Sequence, residues 1–224
     1  MCDRKIVIGI TGASGVAYAV RLIEVLVASE CDIHLMISDT AYKVLEKELN
    51  VTLNPEAFDP IQLGLSQNCV SEIFPSGQVH FHPNHDFTAP VASGSYKTDG
   101  MVVCPCTMGT LGCIASGVHL NLIHRAADVH LKERRKLILV PRETPLSLIH
   151  LQNMLTVTQA GGVILPPTPA FYHGAKDLRD IVNFVVSRIC DQLEIDNNLI
   201  RRWRGQNNIA AEGWNEESFL ETAG

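Results

Sequence analysis

The sequence predicts an α/β protein, a Rossmann-like three-layer αβα fold around a mostly parallel sheet. Three observations predict it. Short apolar runs rich in β-branched residues recur along the chain, each is followed by apolar residues at helical spacing, and the first run turns into its helix through a glycine-rich stretch. Runs that are apolar throughout, rather than alternating, suit strands buried on both faces, as parallel strands between two helix layers are.

Residues 6–10 form the first run, ended by Thr-Gly-Ala-Ser-Gly, and residues 16–27 follow with helical spacing. Residues 33–37 read as a second buried strand and 41–49 as its helix. Three further runs, 101–104, 137–140 and 163–165, precede helix candidates at 110–115, 148–159 and 178–193. The stretch 50–95 carries Pro55, Pro60, Pro75, Pro83 and Pro90, with a weak strand signal at 79–81. A long irregular insertion in a compact domain is usually functional, so part of it is expected to border the site. Residues 1–205 read as one domain. Residues 206–224 read as an acidic tail whose Trp214 and Phe219 suit docking on a neighbouring subunit.

The 224 residues are 46% apolar and 19% charged, which places the chain among globular proteins. A formal net charge of −6 argues against nucleic acid or an anionic membrane as the main partner. No apolar run reaches the roughly 18 residues of a membrane span. The first ten residues enter a strand pattern with no signal-peptide core. Seven cysteines without a C-x-x-C pair fit reduced thiols, so the expected compartment is the cytoplasm.

Gly9, Gly12 and Gly15 sit where the first strand becomes the first helix. There glycine lets backbone approach a phosphate, and the helix start supplies unpaired N–H groups and a partial positive charge. Ser14 adds a hydroxyl. Tight packing is the plainer alternative for the same glycines, and ligand binding is the reading preferred. Other strand ends offer further polar groups: Ser38 after the second, Thr107 and Thr110 after Cys104-Pro105-Cys106, and Arg142 with Glu143 after Val140-Pro141. That is where ligands of open parallel sheets bind. The end of the second strand has no acidic residue placed for an adenine ribose, which favours a mononucleotide over NAD.

Arg125, Lys132, Arg134, Arg135 and Arg142 crowd a short part of an acidic chain. Arg134 and Arg135 read as a solvated helix face. Arg125 and Lys132, seven residues apart, share a face if 125–134 is one helix. Cations near a phosphate loop suit a second phosphorylated ligand. Glu143 reads either as an ion-pair partner of Arg142 or as an acid beside a leaving phosphate.

The stretches GITGASG, ASGS, PCTMGTL, NLIHRAADVHLKERRKLILVPRETPLS, IHLQNML and ILPPTPAFYH resemble the UbiX-type flavin prenyltransferases, over residues 5–205. The resemblance implies that reduced FMN is the prenyl acceptor and dimethylallyl monophosphate the donor, with bonds made at flavin N5 and C6. The prenylated FMN would pass to a UbiD-type decarboxylase, without metal in the catalysis, from a homo-oligomer, commonly a dodecamer. Carried over by motif, Gly12, Ala13, Ser14, Ser38, Thr107, Met108, Gly109, Thr110 and Arg142 would hold FMN. Ser93, Gly94, Arg125, Lys132, Tyr172 and Arg188 would grip the dimethylallyl phosphate. Glu143 would protonate the departing phosphate and Glu48 would assist proton movement at the flavin ring. Ser14, Tyr172 and Trp203 complete the implied catalytic set, with Trp203 walling the allyl group. Thr107 replaces a commoner serine and keeps its hydroxyl, while residues 118–120 and 174–175 depart from the family pattern.

Elementary chemistry agrees with those roles. An allylic phosphate can ionise when several cations and an acid stabilise the leaving group. The resulting cation needs a dry site flanked by π faces. His80, His82 and His85 read as a surface cluster rather than a metal site. Cys104 and Cys106 read as small buried residues rather than a redox pair. Two rivals follow from the same residues: an FMN-dependent cysteine decarboxylase, and an FMN carrier or assembly subunit of a decarboxylase with no transferase activity. The retained Glu48, Lys132, Glu143, Tyr172 and Arg188 argue against the carrier.

Overall fold

The structure is a computed structural model and describes residues 4–63 and 79–203. The expected tail with Trp214 and Phe219 lies outside the described residues, as does Pro75. In chain order the strands are β1 (Lys5–Ile10), β2 (Asp32–Ile37), β3 (Val79–Phe81), β4 (Gly100–Cys106), β5 (Lys136–Pro141) and β6 (Val163–Ile164). The helices are α1 (Val16–Ala28), α2 (Asp39–Leu49), α3 (Met108–Ala115), α4 (Leu122–Lys132), α5 (Leu148–Gln159) and α6 (Leu178–Gln192).

The sheet order is β3-β2-β1-β4-β5-β6, and every pairing is parallel. Alternation along each strand divides the core. Ile6, Ile8 and Ile10 of β1 face α1, α2 and α6, whereas Val7 faces the layer of α3, α4 and α5. The three isoleucines are fully buried, each contributing about 1.5–3 kcal/mol of transfer free energy. Gly9 also faces α4. A Cβ there would stand 3.0 Å from the Ile123 side chain, so glycine sets how closely that helix lies on the sheet.

Side-chain caps begin the later helices. Asn121 accepts from the His124 N–H at 3.0 Å, Ser147 from His150 at 3.2 Å, and Asp177 from Asp180 at 2.9 Å. α4 stops at Lys132, short of the expected 134, and Arg134 takes a left-handed φ of 58°. Arg135 is also not the solvated residue expected. Its guanidinium donates to the carbonyls of Tyr96 (2.7 Å) and Gly94 (2.5 Å), pinning the loop that enters β4.

The proline-rich stretch holds 3-10 turns at Pro55–Ala57, Pro60–Leu63 and Pro90–Ala92. Its second half runs down α4: Asn84 accepts from the N–H groups of Leu122 (2.7 Å) and Ile123 (3.3 Å). Among the described residues no helix is long and apolar enough to cross a membrane.

Candidate functional site

The chain leaves β1 for β2 on one side and reaches β4 on the other, so the sheet order switches direction between β1 and β4. A crevice opens beyond the carboxyl ends of strands at such a point. Hydrogen bonds stitch four strand ends together around it. Thr11 donates its N–H (3.2 Å) and hydroxyl (2.7 Å) to the Pro105 carbonyl and accepts from the Thr107 N–H at 2.8 Å. The Ser38 N–H reaches the Ile10 carbonyl at 2.9 Å, and the Arg142 N–H reaches Cys106 at 3.4 Å. Gly12, Ala13, Ser14, Ser38, Thr107, Met108, Gly109, Thr110 and Arg142 therefore gather at one edge of the sheet, as the motifs imply.

Two helices begin at this edge, and they differ. At α1 the Glu48 carboxylate, from α2, accepts the N–H groups of Gly15 (2.9 Å) and Val16 (3.2 Å). Glu48 thus caps part of the first turn of α1, while the N–H groups of Gly12 and Ser14 have no partner among the described residues. Gly12 is needed for packing as well: a Cβ there would lie 2.3 Å from Thr40 Oγ1. At α3 the Thr107 hydroxyl accepts from the Thr110 N–H (3.1 Å) and donates to the Thr110 hydroxyl (3.0 Å). The Thr110 proton stays available, and the N–H groups of Met108 and Gly109 have no partner among the described residues. Exposed Arg142 is likewise unpaired among the described residues, and exposed Glu143 accepts only from the adjacent Thr144 N–H, at 3.2 Å.

The other expected residues form two separate groups. On α4, the Arg125 guanidinium donates to the Ala92 carbonyl at 3.0 Å and to Asp128 at 2.9 Å. Lys132 pairs with Glu133 beside Gly94, next to Ser93. Lys132 closes α4 just before β5 begins, so it lies by the strand starts, about 20 Å of strand away from the crevice.

The third group lies along α6. The Tyr172 ring stands edge-on to Trp203 at 5.6 Å and to Phe184 at 6.0 Å. The loop carrying it turns through Gly174 at φ 76°, a conformation open to glycine and closed to proline. Arg188 pairs with Asp191 at 2.6 Å. Asp191 and Arg202 border a cleft of about 900 Å³ whose other wall is Arg21, Glu24 and Ala28 of α1. That level of α1 is about 8–18 Å from its start at the crevice. Within one chain, then, Lys132 lies at the opposite edge of the sheet from the expected flavin site.

Sequence reading missed His34, which organises the histidines it had treated as a surface cluster. His34 is buried, stacks on His80 (5.1 Å) and His82 (5.2 Å), and shares a 2.9 Å hydrogen bond with His82. Tyr96 Oη lies 2.8 Å from its other ring nitrogen. Burial pushes the His34 pKa down to about 4, and nearby Asp32 opposes the shift. His85 stands apart, 3.4 Å from Asp39. Asp39 follows Ser38 and so is an acidic residue near the end of β2, one the sequence reading had passed over. Among the described residues no cluster suits a metal ion. Cys104 and Cys106 are fully buried, and burial pushes both thiols well above their usual range.

The chain matches the family model described as Flavoprotein over residues 1–190. Flavin prenyltransferase UbiX of Pseudomonas aeruginosa is 44% identical over 208 residues, covering 93% of this chain and 98% of the relative. The enzyme of the same name from Alkalihalophilus pseudofirmus is 43% identical over 203 residues, covering 90% and 96%. Among solved structures, AnUbiX in complex with FMN and dimethylallyl pyrophosphate superimposes with a TM-score of 0.78 at 40% identity, covering 91% of this chain and 99% of that one. A dodecameric FMN-dependent UbiX-like decarboxylase from Escherichia coli O157:H7 gives 0.76 at 39% identity, covering 90% and 100%. The cysteine decarboxylase TvaF shares only 15% identity at a TM-score of 0.51, a likeness of fold alone. With polar residues gathered at its sheet switch point and relatives of this identity over nearly its whole length, the chain belongs to the UbiX flavin prenyltransferases.

Proposed function

We propose that this protein joins the dimethylallyl group of dimethylallyl monophosphate to N5 and C6 of reduced FMN, within a homo-oligomer, for delivery to a UbiD-type decarboxylase. The observation that carries the reading is the open start of α3 after β4, beside the end of the neighbouring β5 where Arg142 and Glu143 stand, next to the β1/β4 switch point. Residues 1–205 are read as one flavin-binding unit and the compartment as the cytoplasm.

The donor set fits FMN. A phosphate monoester needs N–H and hydroxyl donors with a cation beside a helix start. The N–H groups of Met108 and Gly109, the hydroxyls of Ser14, Ser38 and Thr110, and the Arg142 guanidinium supply them. When bound and reduced, FMN supplies two nucleophilic ring positions. The protein's residues do the rest. Arg125, Lys132, Tyr172 and Arg188 take the prenyl phosphate, spreading the charge that grows as the carbon–oxygen bond breaks. Glu143 gives that phosphate a proton, which suits a group whose second pKa is about 6. Trp203 and Tyr172 keep water from the allyl group and turn aromatic faces toward it. Glu48, held at the α1 start beside Ser14, is placed to move a proton near the ring. Since the three groups lie apart in one chain, neighbouring copies would bring Arg125 with Lys132, and Tyr172 with Arg188, to each crevice.

The test is anaerobic incubation with reduced FMN and dimethylallyl monophosphate, followed by mass spectrometry of the extracted flavin. A flavin heavier by one five-carbon unit is expected. If FMN stays bound and unmodified with the monophosphate and with the diphosphate, the carrier reading takes its place.

A further inference from the structure

The acidic residue that binds the α6 group together has no role in the reaction described above. Asp191 lies one turn beyond Arg188 on α6, and its carboxylate receives two guanidinium groups. Arg202 donates to both oxygens, Nη1 to Oδ2 at 2.6 Å and Nη2 to Oδ1 at 2.7 Å. Arg188 Nη1 shares Oδ2 at 2.6 Å, and Asn197 Nδ2 approaches Oδ1 at 3.4 Å. The Arg202 hydrogen bonds are the largest cause holding the Asp191 carboxyl below its usual range, so it is charged at neutral pH.

Two connections leave this carboxylate. Arg188 is exposed and would otherwise sample many rotamers, at a cost of about 2 kcal/mol in side-chain entropy on fixing it. Tied through Nη1, it keeps Nη2 and Nε free to meet an anion. Arg202 is joined by one peptide bond to Trp203, whose ring stands edge-on to Tyr172. An isolated exposed ion pair does little, but a bidentate guanidinium–carboxylate contact shared by a second arginine fixes geometry in two directions.

We propose that Asp191 is a positioning residue for the prenyl-phosphate end of the reaction: one carboxylate aims Arg188 and, through Arg202, sets the Trp203–Tyr172 wall. The proposal rests on the functional reading given above for Arg188, Tyr172 and Trp203. The flavin crevice lies at the other end of α1, so Asp191 acts on the donor substrate and leaves the flavin's affinity alone.

The experiment compares full-length protein with Asp191→Asn, Asp191→Glu and Arg202→Met. It measures KM and kcat for dimethylallyl monophosphate, FMN affinity by fluorescence quenching, and assembly by light scattering. Asp191→Asn is expected to raise KM about tenfold, the scale of one charge-assisted contact, with FMN affinity and assembly unchanged. Asp191→Glu, which keeps the charge, should recover most of that loss. Arg202→Met should raise KM by a smaller factor, because Arg188 keeps its partner. An unchanged or lower KM in Asp191→Asn overturns the proposal. So does a parallel loss of FMN affinity or assembly in both Asp191→Asn and Arg202→Met, which would make the carboxylate merely structural. If the unaltered protein transfers no prenyl group while still binding FMN, the functional reading fails first and takes this inference with it.

Discussion

α1 and α3 begin after neighbouring strands at the carboxyl edge of the sheet, on opposite faces and both after short glycine- or threonine-bearing turns, yet among the described residues a carboxylate caps only one of them. Glu48 reaches across from α2 and takes the Gly15 and Val16 N–H groups. Among the described residues nothing comparable reaches α3, where Thr107 and Thr110 bond to each other and leave the N–H groups of Met108 and Gly109 unpaired. The difference teaches that a glycine-rich strand-to-helix turn can be partly filled by the protein's own carboxylate, while a threonine-capped start leaves its first N–H groups unpaired.

The sharpest test concerns the strand end facing α3. Glu143→Gln should bind FMN normally and slow prenyl transfer by about 10²–10⁴, the usual worth of a general acid. Unchanged turnover, measured by flavin mass spectrometry over time, would remove Glu143 from the reaction. Arg142→Ala should weaken FMN by about tenfold to a hundredfold, because a cation contact to the phosphate is lost. An affinity equal to that of the unaltered protein in a fluorescence titration would place the phosphate away from α3.

The histidines at the β2–β3 edge extend the contrast, since there the polar groups satisfy one another. The His34 pKa is about 4 in the folded protein against an ordinary 6.5, so the unfolded chain binds the proton more readily. Stability is then complete above about pH 6.5, falls as pH drops toward 4, and levels off below that, for a loss on the order of 2–3 kcal/mol. Urea unfolding at several pH values should show this slope, and His34→Gln should remove about half of it, since burial also pushes the His130 pKa down to about 4. A slope that persists undiminished in the variant would shift the effect to His82, whose pKa burial also lowers. The smallest expected effect is at α1. On stability, Glu48→Gln should cost about 0.5–1 kcal/mol through the weakened cap, with FMN affinity unchanged, and slower prenyl transfer beside it is the mark of its proposed proton role. If that variant instead bound FMN more tightly, the α1 start would share the phosphate after all.

Much of the fold was legible because its signals are local. Continuous β-branched runs announced β1, β2, β4 and β5, and helical spacing announced α1, α2, α5 and α6 within a few residues. The crevice was legible too, because Ser38, Thr107 and Arg142 each stand just after a strand, and parallel strands bring their ends to one edge. The short edge strand β3 was weak because three residues carry little pattern. Arg135 was misread because its partners are the carbonyls of Gly94 and Tyr96, about forty residues upstream. Nothing in the spacing of His80 and His82 pointed to His34, which meets them through strand register, with His34 opposite His80.

By itself, then, the sequence determined the alternation of strands and helices, the parallel sheet and the set of polar residues delivered to its carboxyl edge. These follow from periodicity and from the short reach of residues beside strand ends. Only the tertiary structure decided which helix start a carboxylate caps, and that Lys132 ends α4 by the strand starts while Arg188 is tied to Asp191 on α6. Those outcomes depend on contacts such as Glu48 with Gly15 and Arg202 with Asp191. Such contacts join residues that are distant along the chain, where no local preference can register them.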